Sequence, residues 1–179
     1  MDLYLVRHGR PKVDRSRPAH EWNLDPAYDD DVRALRRRLP SDARWFSSPE
    51  PRAFMTARLL TEEPIEVVGD LREHERDTTV WIDDFGAVVR RAFAEPDLPA
   101  YDGWVPLAET RRRVVRAVAE IVNRPGDGDL VLVGHGTAWT CVVSALTGSP
   151  PDLDAWATLV MPDVIQCGDP RGRGDMLGA

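Results

Sequence analysis

The sequence predicts an α/β fold, a three-layer α/β/α sandwich with a mostly parallel central sheet. Short apolar runs of strand type alternate along the chain with segments whose apolar residues recur at helical spacing. This alternation is typical of parallel sheets that are flanked by helices. The length of 179 residues suits one domain with a buried core, which we place at residues 1–167.

The first half of the chain contains three predicted strands and two predicted helices. The strands are residues 3–6, 45–46 and 65–68. The first helix is predicted over residues 29–39, because acidic residues begin it, arginines end it and Pro40 follows. The second helix is predicted to begin at Ser48-Pro49 and to end near Leu60. Serine is a favoured N-cap, and proline is favoured at the first helical position.

The second half continues the alternation and ends in a polar tail. Helices are predicted over residues 81–94, 107–124 and 137–147, and a buried strand over residues 130–133. Residues 156–161 and 164–165 are predicted to form a final hairpin or two short strands. Residues 168–179 are rich in glycine and polar side chains, and we expect them to be disordered.

The charge balance and the cysteine content argue against several classes of protein. The chain has 23 basic and 30 acidic residues and a formal net charge of −7, which disfavours a nucleic-acid partner. The first apolar run is too short for a signal peptide or a membrane span, so no membrane partner is expected. Cys141 and Cys167 have neither metal-ligand spacing nor the density of a disulfide scaffold. We therefore expect a cytoplasmic protein; a homodimer is a possible assembly that the sequence does not decide.

A short motif occurs twice, each time at the end of a predicted strand. Residues 3–9 and 130–136 are identical at five of seven positions, and each segment ends in His-Gly. In open α/β sheets, ligands bind beyond the carboxyl ends of the strands. His8 and His135 can therefore share one crevice, where the glycines allow the backbone to approach a ligand closely.

Two arginines suggest which ligand this crevice binds. Arg7 precedes His8, and Arg52 falls in the first turn of the helix predicted after Ser48. Guanidinium groups bind phosphate oxygens in pairs, and a helix N-terminus also favours anions. A locally positive site in an acidic protein suits a small phosphate ester. A neutral imidazole with a fixed tautomer is also a competent nucleophile toward phosphorus.

Four segments, in order, resemble the histidine phosphatase superfamily, the phosphoglycerate mutase-like proteins of the branch with the Arg-His-Gly motif. They span residues 3–147, most of the chain. The segments are Leu5-Val6-Arg7-His8-Gly9, residues 47–57 with Ser-Ser-Pro and Arg52-Ala53, Leu71-Arg72-Glu73, and Leu132-Val133-Gly134-His135-Gly136.

The resemblance implies a role for each matched residue. His8 would be the phosphorylated nucleophile, and Arg7, Arg52 and His135 would bind the phosphoryl oxygens. Glu73 would protonate the leaving group and then activate water. The implied activity is that of a metal-independent phosphomonoester hydrolase, a histidine acid-type phosphatase, with no metal and no cofactor.

The sequence departs from the family pattern near these motifs. Asp14 falls where the family commonly has asparagine near the phosphate, and a carboxylate there would oppose a phosphate. The usual glycine pattern after the acid is absent, so Glu75 is the alternative acid if the match is displaced by two residues. Arg10, Asp14, His20 and Glu75 are candidates for the substrate rim. Residues 74–105 are the predicted lid or specificity segment.

Three alternatives remain open at this stage. The departures motivate a non-catalytic phosphate-binding or regulatory module with the same fold. A phosphoglycerate mutase-type phosphotransferase is less favoured, because mutases of the family carry longer inserts over the site. A metal hydrolase using His8, His74 and His135 is weaker, because the spacings usual in metal sites are missing.

Overall fold

Five strands form one sheet in the computed structural model, which describes residues 1–171. The strands are β1 (Leu3–Arg7), β2 (Arg44–Ser47), β3 (Ile65–Val67), β4 (Leu130–Gly134) and β5 (Asp163–Gln166). Their order is β3-β2-β4-β1-β5, and every neighbouring pair is parallel except β1 with β5. The predicted mostly parallel sheet is therefore confirmed.

Helices cover both faces of this sheet. They are α1 (Asp29–Ala34), α2 (Pro51–Leu60), α3 (Phe85–Ala94), α4 (Leu107–Val122), α5 (Gly136–Thr147) and α6 (Leu153–Thr158). Alternate strand residues point to opposite faces. Thus Leu5 and Leu132 belong to a core cluster with α4 and α5, whereas Val6 and Val133 belong to a cluster with α1 and α2. This arrangement is the predicted three-layer sandwich. No helix within residues 1–171 is long and apolar enough to cross a membrane.

Three helix boundaries differ from the predictions. Helix α3 begins at Phe85 rather than at Trp81, because Asp84 is its N-cap and accepts from Ala87 N at 3.0 Å. Helix α2 begins at Pro51 rather than at Pro49, with Glu50 as its N-cap. The reason is that the chain stays extended through Ser48, whose backbone N–H donates to Val133 O at 2.9 Å. The helix predicted over residues 29–39 is α-helical only to Ala34 and continues as a 3₁₀ turn over Leu35–Arg38.

The last predicted elements and part of the tail also require correction. Residues 156–161 do not form a strand: Asp152 accepts from Ala155 N at 2.8 Å and begins helix α6, which ends at Thr158. Residues 168–171 are not disordered, because Gly168 O accepts from Leu3 N and Arg171 Nη2 donates to Gly126 O. The rest of the predicted tail, residues 172–179, lies outside the described residues.

Two of the three glycines in the repeated segments, Gly9 and Gly134, face closely packed neighbours. A Cβ at Gly9 would lie 2.6 Å from Val32 Cγ2 and 2.7 Å from Leu24 Cδ1. A Cβ at Gly134 would lie 2.5 Å from Cζ2 of Trp139, a side chain that also donates to Val6 O at 2.8 Å. The chain therefore packs tightly at the strand ends that carry the two histidines.

We expect Gly9→Ala to lower the free energy of unfolding by about 1–3 kcal/mol, because an overpacked core must shift its neighbours. Gly69→Ala is the matched control, since a Cβ there would meet nothing within 4 Å. Urea unfolding of the two variants checks this expectation. Equal stability of both variants would contradict the close packing at Gly9.

Candidate active site

The two repeated histidines meet at the carboxyl ends of β1 and β4, which are neighbours in the sheet. Their ring centroids are 5.1 Å apart with an interplanar angle of 64°. A cavity of about 750 Å³ opens at these strand ends, and His8 lies in its wall. His135 is fully buried. The two histidines of the repeated motif therefore lie together at the strand ends, with His8 in the cavity wall and His135 behind it.

The hydrogen bonds of His8 fix its tautomer. Nδ1 lies 2.7 Å from Gly9 O, and a carbonyl oxygen only accepts, so the ring proton is assigned to Nδ1. Arg52 Nε donates to His8 Nε2 at 3.0 Å, which places the lone pair of the ring on Nε2. Burial, followed by the positive charge of Arg52, lowers the pKa of His8 well below its ordinary value. His8 is therefore a neutral imidazole whose Nε2 lone pair accepts from a guanidinium group.

His135 has the opposite tautomer. Arg52 Nη2 lies 3.4 Å from Nδ1 of His135, and an arginine only donates. The ring proton is therefore assigned to Nε2, which donates to Ser48 Oγ at 2.8 Å and lies 3.5 Å from Glu50 Oε1. Burial, followed by the charge of Arg52, lowers the pKa of His135 well below its ordinary value. Binding of a phosphate dianion would favour protonation of this ring.

Arg52 connects the groups of the site. Besides both histidines, its Nη2 contacts Glu50 Oε2 at 2.5 Å, and its Nη1 donates to Ala19 O. The backbone of α2 is tied to the loop after β1, because Thr56 Oγ1 donates to Arg52 O and accepts from Gly9 N. The first turn of α2 thereby holds Arg52 beside His8, as the sequence predicts.

Arg7 lies in the wall of the same cavity. Its Nη1 donates to Leu159 O and Val160 O, which anchors the side chain against the segment before β5. Its Nε is buried and has no hydrogen-bond partner among residues 1–171. Burial lowers the pKa of Arg7, and the carboxylates of Glu73 and Asp163 oppose this effect. Arg7 therefore keeps guanidinium N–H groups that no acceptor within residues 1–171 uses.

Glu73 receives hydrogen bonds at the N-terminus of α5. Its Oε2 accepts from Thr137 N at 3.2 Å, and its Oε1 accepts from Ala138 N at 3.0 Å and from His74 N at 2.9 Å. Burial raises the pKa of Glu73, but Arg76 and the backbone donors outweigh burial, so the net pKa lies below its ordinary value. Glu73 is a carboxylate in the wall of the cavity that contains His8.

Three residues near the site were not predicted from the sequence. Glu50 is 7% exposed, pairs with Arg52, and accepts from Glu73 N at 2.7 Å. Burial raises its pKa, which Arg52 opposes. Arg76 lines the cavity and donates to Thr137 Oγ1 at 3.0 Å. Arg113 donates to the carbonyl oxygens of residues 70, 72 and 73 and so holds the loop that carries Glu73.

The sequence indicates to different degrees that these three residues lie near the site. Glu50 lies inside a matched motif and next to Arg52, so its position could have indicated a role. Arg76 follows the predicted acid by three residues, but nothing in the local pattern shows where its side chain points. Arg113 lies on the exposed-looking side of a helix, and only the tertiary fold brings it to the loop.

The four predicted rim residues occupy different positions. Arg10 lines the cavity with its guanidinium 4.4 Å from the ring centroid of Tyr28. His20 lines an adjoining cavity of about 680 Å³. Asp14 lines neither cavity: its Oδ1 accepts from Ser16 N and Oγ, and these bonds lower its pKa. A carboxylate opposing the phosphate is therefore not observed at Asp14.

Glu75, the alternative acid, is directed away from the histidines. Its Oε1 accepts from Arg72 Nε at 2.8 Å, and its side chain is 44% exposed. Glu75 lines only the adjoining cavity, whereas Glu73 lines both that cavity and the cavity of His8. The placement favours Glu73 over Glu75.

The metal hypothesis gains no support from the grouping of side chains. Within residues 1–171, no group of three His, Cys, Asp or Glu residues could hold a metal ion. His74 Nε2 lies 2.7 Å from Val105 O, and its ring packs at 5.2 Å against Trp104. His74 therefore belongs to the loop packing rather than to a cluster with His8 and His135.

Three buried histidines predict that the protein loses stability on mild acidification. Burial lowers the pKa of His74 to about 4 and the pKa values of His8 and His135 well below 6.5. The unfolded chain therefore binds protons below about pH 6.5 that the folded chain does not bind. We expect the free energy of unfolding to fall by roughly 4 kcal/mol between pH 7.5 and 5.5, since below about pH 6.5 each of the three histidines contributes about 1.4 kcal/mol per pH unit.

Urea unfolding at several pH values checks this expectation. His74→Gln keeps a donor for Val105 O and removes one titrating group, so the fall should shrink by about 1 kcal/mol. His20→Gln, at a half-exposed side chain, is the matched control. A free energy of unfolding that is independent of pH between 7.5 and 5.5 would contradict the burial of these imidazoles as neutral groups.

The fold and the site define a protein that gathers two neutral imidazoles and several guanidinium groups at the carboxyl ends of adjacent parallel strands. The family model of the histidine phosphatase superfamily (branch 1) matches residues 3–160, and the chain belongs to this superfamily. The resemblance inferred from the four motifs is confirmed.

Solved structures share this fold. A mycobacterial glucosyl-3-phosphoglycerate phosphatase in complex with VO3 has a TM-score of 0.70 and 25% identity, with 92% of this chain and 91% of that chain covered. YhfR of Bacillus stearothermophilus has a TM-score of 0.71 and 24% identity, with 92% and 89% covered. A phosphoserine phosphatase of Entamoeba histolytica has a TM-score of 0.72 and 14% identity, with 92% and 89% covered. A search of the curated proteins finds no match.

Proposed function

We propose that the protein is a metal-independent phosphomonoester hydrolase that works through a phosphohistidine at His8. The observation that carries this proposal is the fixed tautomer of His8, which leaves Nε2 unprotonated with its lone pair directed at the Arg52 guanidinium. A nucleophile must keep its lone pair at working pH, and the lowered pKa of His8 provides this. The phosphatase names of two of the structural neighbours support the same chemistry.

In the first step, His8 Nε2 attacks phosphorus and the P–O bond to the leaving group breaks. The equatorial oxygens carry negative charge, which the unpartnered Arg7 Nε and the Arg52 guanidinium are placed to neutralise. The phosphate takes over the Arg52 N–H that donates to His8 before substrate binds. His135 completes the oxyanion contacts once it takes up a proton.

Glu73 supplies the proton for the leaving oxygen. The carboxylate is ionised before substrate binds, and the negative charge of an approaching phosphate raises its pKa and favours proton uptake. In the second step, Glu73 takes a proton from water, the water oxygen bonds to phosphorus, and the P–N bond breaks. Inorganic phosphate leaves and His8 regains its neutral form.

Two alternatives remain distinguishable from this proposal. A non-catalytic phosphate-binding module would use the same arginines without turnover. A mutase would return the phosphoryl group to a second position of the substrate. Glu75, the alternative acid, accepts from Arg72 and provides no argument for either the binding module or the mutase.

The test is hydrolysis of p-nitrophenyl phosphate by chelator-treated protein between pH 5 and 8. We expect turnover that chelation does not reduce. With ³²P-labelled substrate and an alkaline quench, we expect radiolabel that stays on the protein in alkali and is released in acid. A thermal shift with phosphate and no turnover would instead support the binding module, and loss of activity on chelation would support the metal hydrolase.

The cytoplasmic location and the small-molecule partner stay predictions, as does the homodimer.

Burial raises the pKa of the Cys141 thiol to about 12, so this side chain is an inert core residue in any compartment.

A further inference from the structure

The outer wall of the His8 cavity is apolar and open to solvent. Val80 is 60% exposed, Trp81 is 49% exposed, Val13 is 50% exposed and Phe85 is 38% exposed, and all four line this cavity. Large apolar side chains that are exposed singly need no explanation, whereas a contiguous concave patch indicates a binding surface. The patch lies in the same cavity as His8, so a substrate whose phosphate binds beside His8 can also cover the patch.

Two arginines on this wall have no carboxylate partner among the described residues. The Arg10 guanidinium lies 4.4 Å from the ring centroid of Tyr28, and the Arg15 guanidinium lies 4.0 Å from that of Trp81. Arg17, by contrast, contacts the carboxylates of nearby acidic residues. In a chain of net charge −7, two unpaired cations at one cavity mouth are complementary to a negative ligand.

Arg76 joins this wall to the catalytic floor. Its guanidinium lies 4.8 Å from the ring centroid of Phe85 and 4.5 Å from that of Trp104, and its buried Nε has no hydrogen-bond partner within residues 1–171. Arg76 is also close enough to Glu73 to lower the pKa of that carboxylate. The organic part of an ester whose leaving oxygen lies at Glu73 would therefore extend past Arg76 and contact the aromatic wall.

We propose that the substrate is a phosphate monoester with a large apolar or aromatic organic group and a second negative charge remote from the ester. This inference rests on the proposed phosphatase function and names its substrate class. A cavity of about 750 Å³ is of the size that holds a drug-sized ligand, so a small polyol phosphate would leave most of the wall in water. The organic group covers Trp81 and its neighbours, and the remote charge meets Arg10 and Arg15.

The experiment compares kcat/KM for phenyl phosphate, 2-naphthyl phosphate and 6-carboxy-2-naphthyl phosphate, whose leaving groups have similar acidity. Covering the wall with a second ring should raise kcat/KM about tenfold. The remote carboxylate should raise it a further threefold or so, an effect that high salt reduces. A naphthyl-to-phenyl ratio within about twofold would overturn the proposal.

Variants separate the two parts of the recognition. Trp81→Ala should remove the naphthyl preference and also weaken the carboxylate preference, because it removes the ring on which Arg15 lies. Arg10→Met should weaken only the carboxylate preference, since Arg10 lies on Tyr28 instead. Leu98→Ala is the matched apolar control, since Leu98 is 58% exposed and lines neither cavity described above. Arg58→Met is the charge control on the exposed side of α2. Equal preferences in Trp81→Ala and Leu98→Ala would also overturn the proposal.

The substrate proposal and the function proposal fail in different ways. If hydrolysis depends on His8 but shows no preference, the substrate class is wrong and the phosphatase proposal stands. If the wild-type protein hydrolyses none of the three esters, the phosphatase proposal fails. Calorimetric binding of the same esters to His8→Ala protein then tests the substrate class. We expect 2-naphthyl phosphate to bind about tenfold more tightly than phenyl phosphate. Equal affinities would overturn the substrate proposal.

Discussion

His8→Ala should lower kcat for p-nitrophenyl phosphate by at least about 10⁴-fold, because removing a covalent nucleophile removes the reaction path itself. The effect is expected to be this large because His8 Nε2 is the atom that attacks phosphorus, beside the Arg52 guanidinium, and alanine has no atom that can replace it. No alkali-stable label should remain on the protein. Steady-state assays and labelling of the same preparations check both expectations.

Added imidazole is the sharpest control for this variant. Truncation at His8 leaves a ring-sized space beside Arg52, and free imidazole that enters it can attack phosphorus in place of the missing side chain. We expect partial rescue by imidazole of His8→Ala but no gain in the wild-type protein. Arg58→Ala, at an exposed position outside the cavities described above, is the surface control. Residual activity of His8→Ala within tenfold of wild type would contradict the assignment of His8 as the nucleophile.

Four residues of the site, His8, His135, Arg7 and Arg52, could be placed together from the sequence because a parallel sheet has a simple geometry. Strands that run in the same direction end at the same edge, so polar residues just past two apolar runs must lie near one another if the strands are neighbours. Residues 3–9 and 130–136 meet this condition, since Leu5 pairs with Leu132 and Arg7 with Gly134. Arg52 follows from the same rule, because β2 is the other neighbour of β4.

The loop after Glu73 was not predictable, because contacts distant in sequence determine its path. Arg76 forms an antiparallel bridge with Trp104, and Asp77 N donates to Gly103 O at 2.7 Å. Gly103 has a φ of 76°, which allows this close approach. Local pattern alone indicates only that this segment is irregular, and it therefore does not show that Arg76 points into the site.

The error at residues 156–161 has a different physical origin. Trp156, Leu159, Val160 and Met161 form a largely apolar stretch, and short apolar stretches do not separate strand from helix. The deciding signal is Asp152, which begins α6 by accepting from Asp154 N and Ala155 N. The carbonyl groups of Leu159 and Val160 then anchor Arg7, so this misassigned segment also shapes the site.

Glu73→Gln should slow an alkyl phosphate far more than an activated aryl phosphate. An alkoxide leaves only when it is protonated, whereas p-nitrophenolate leaves as an anion. We expect kcat/KM to fall about 10²- to 10⁴-fold for ethyl phosphate and less than about tenfold for p-nitrophenyl phosphate. The amide oxygen can still accept from Ala138 N and His74 N, whereas the amide NH2 cannot accept from Thr137 N, so the variant keeps two of the three backbone hydrogen bonds.

The second half-reaction gives an independent signature of the same residue. Because kcat/KM reports only the steps up to phosphorylation, loss of the base for water shows instead in kcat. Rapid-quench experiments with p-nitrophenyl phosphate should therefore show a burst of p-nitrophenol and a phosphorylated protein that accumulates. Glu75→Gln is the matched comparison, since the Glu75 side chain pairs with Arg72 and Arg113 rather than with the histidines, and it should change both esters by the same factor. If Glu75→Gln gives the differential loss and Glu73→Gln does not, Glu75 is the acid; equal losses on both esters with Glu73→Gln contradict its role as proton donor.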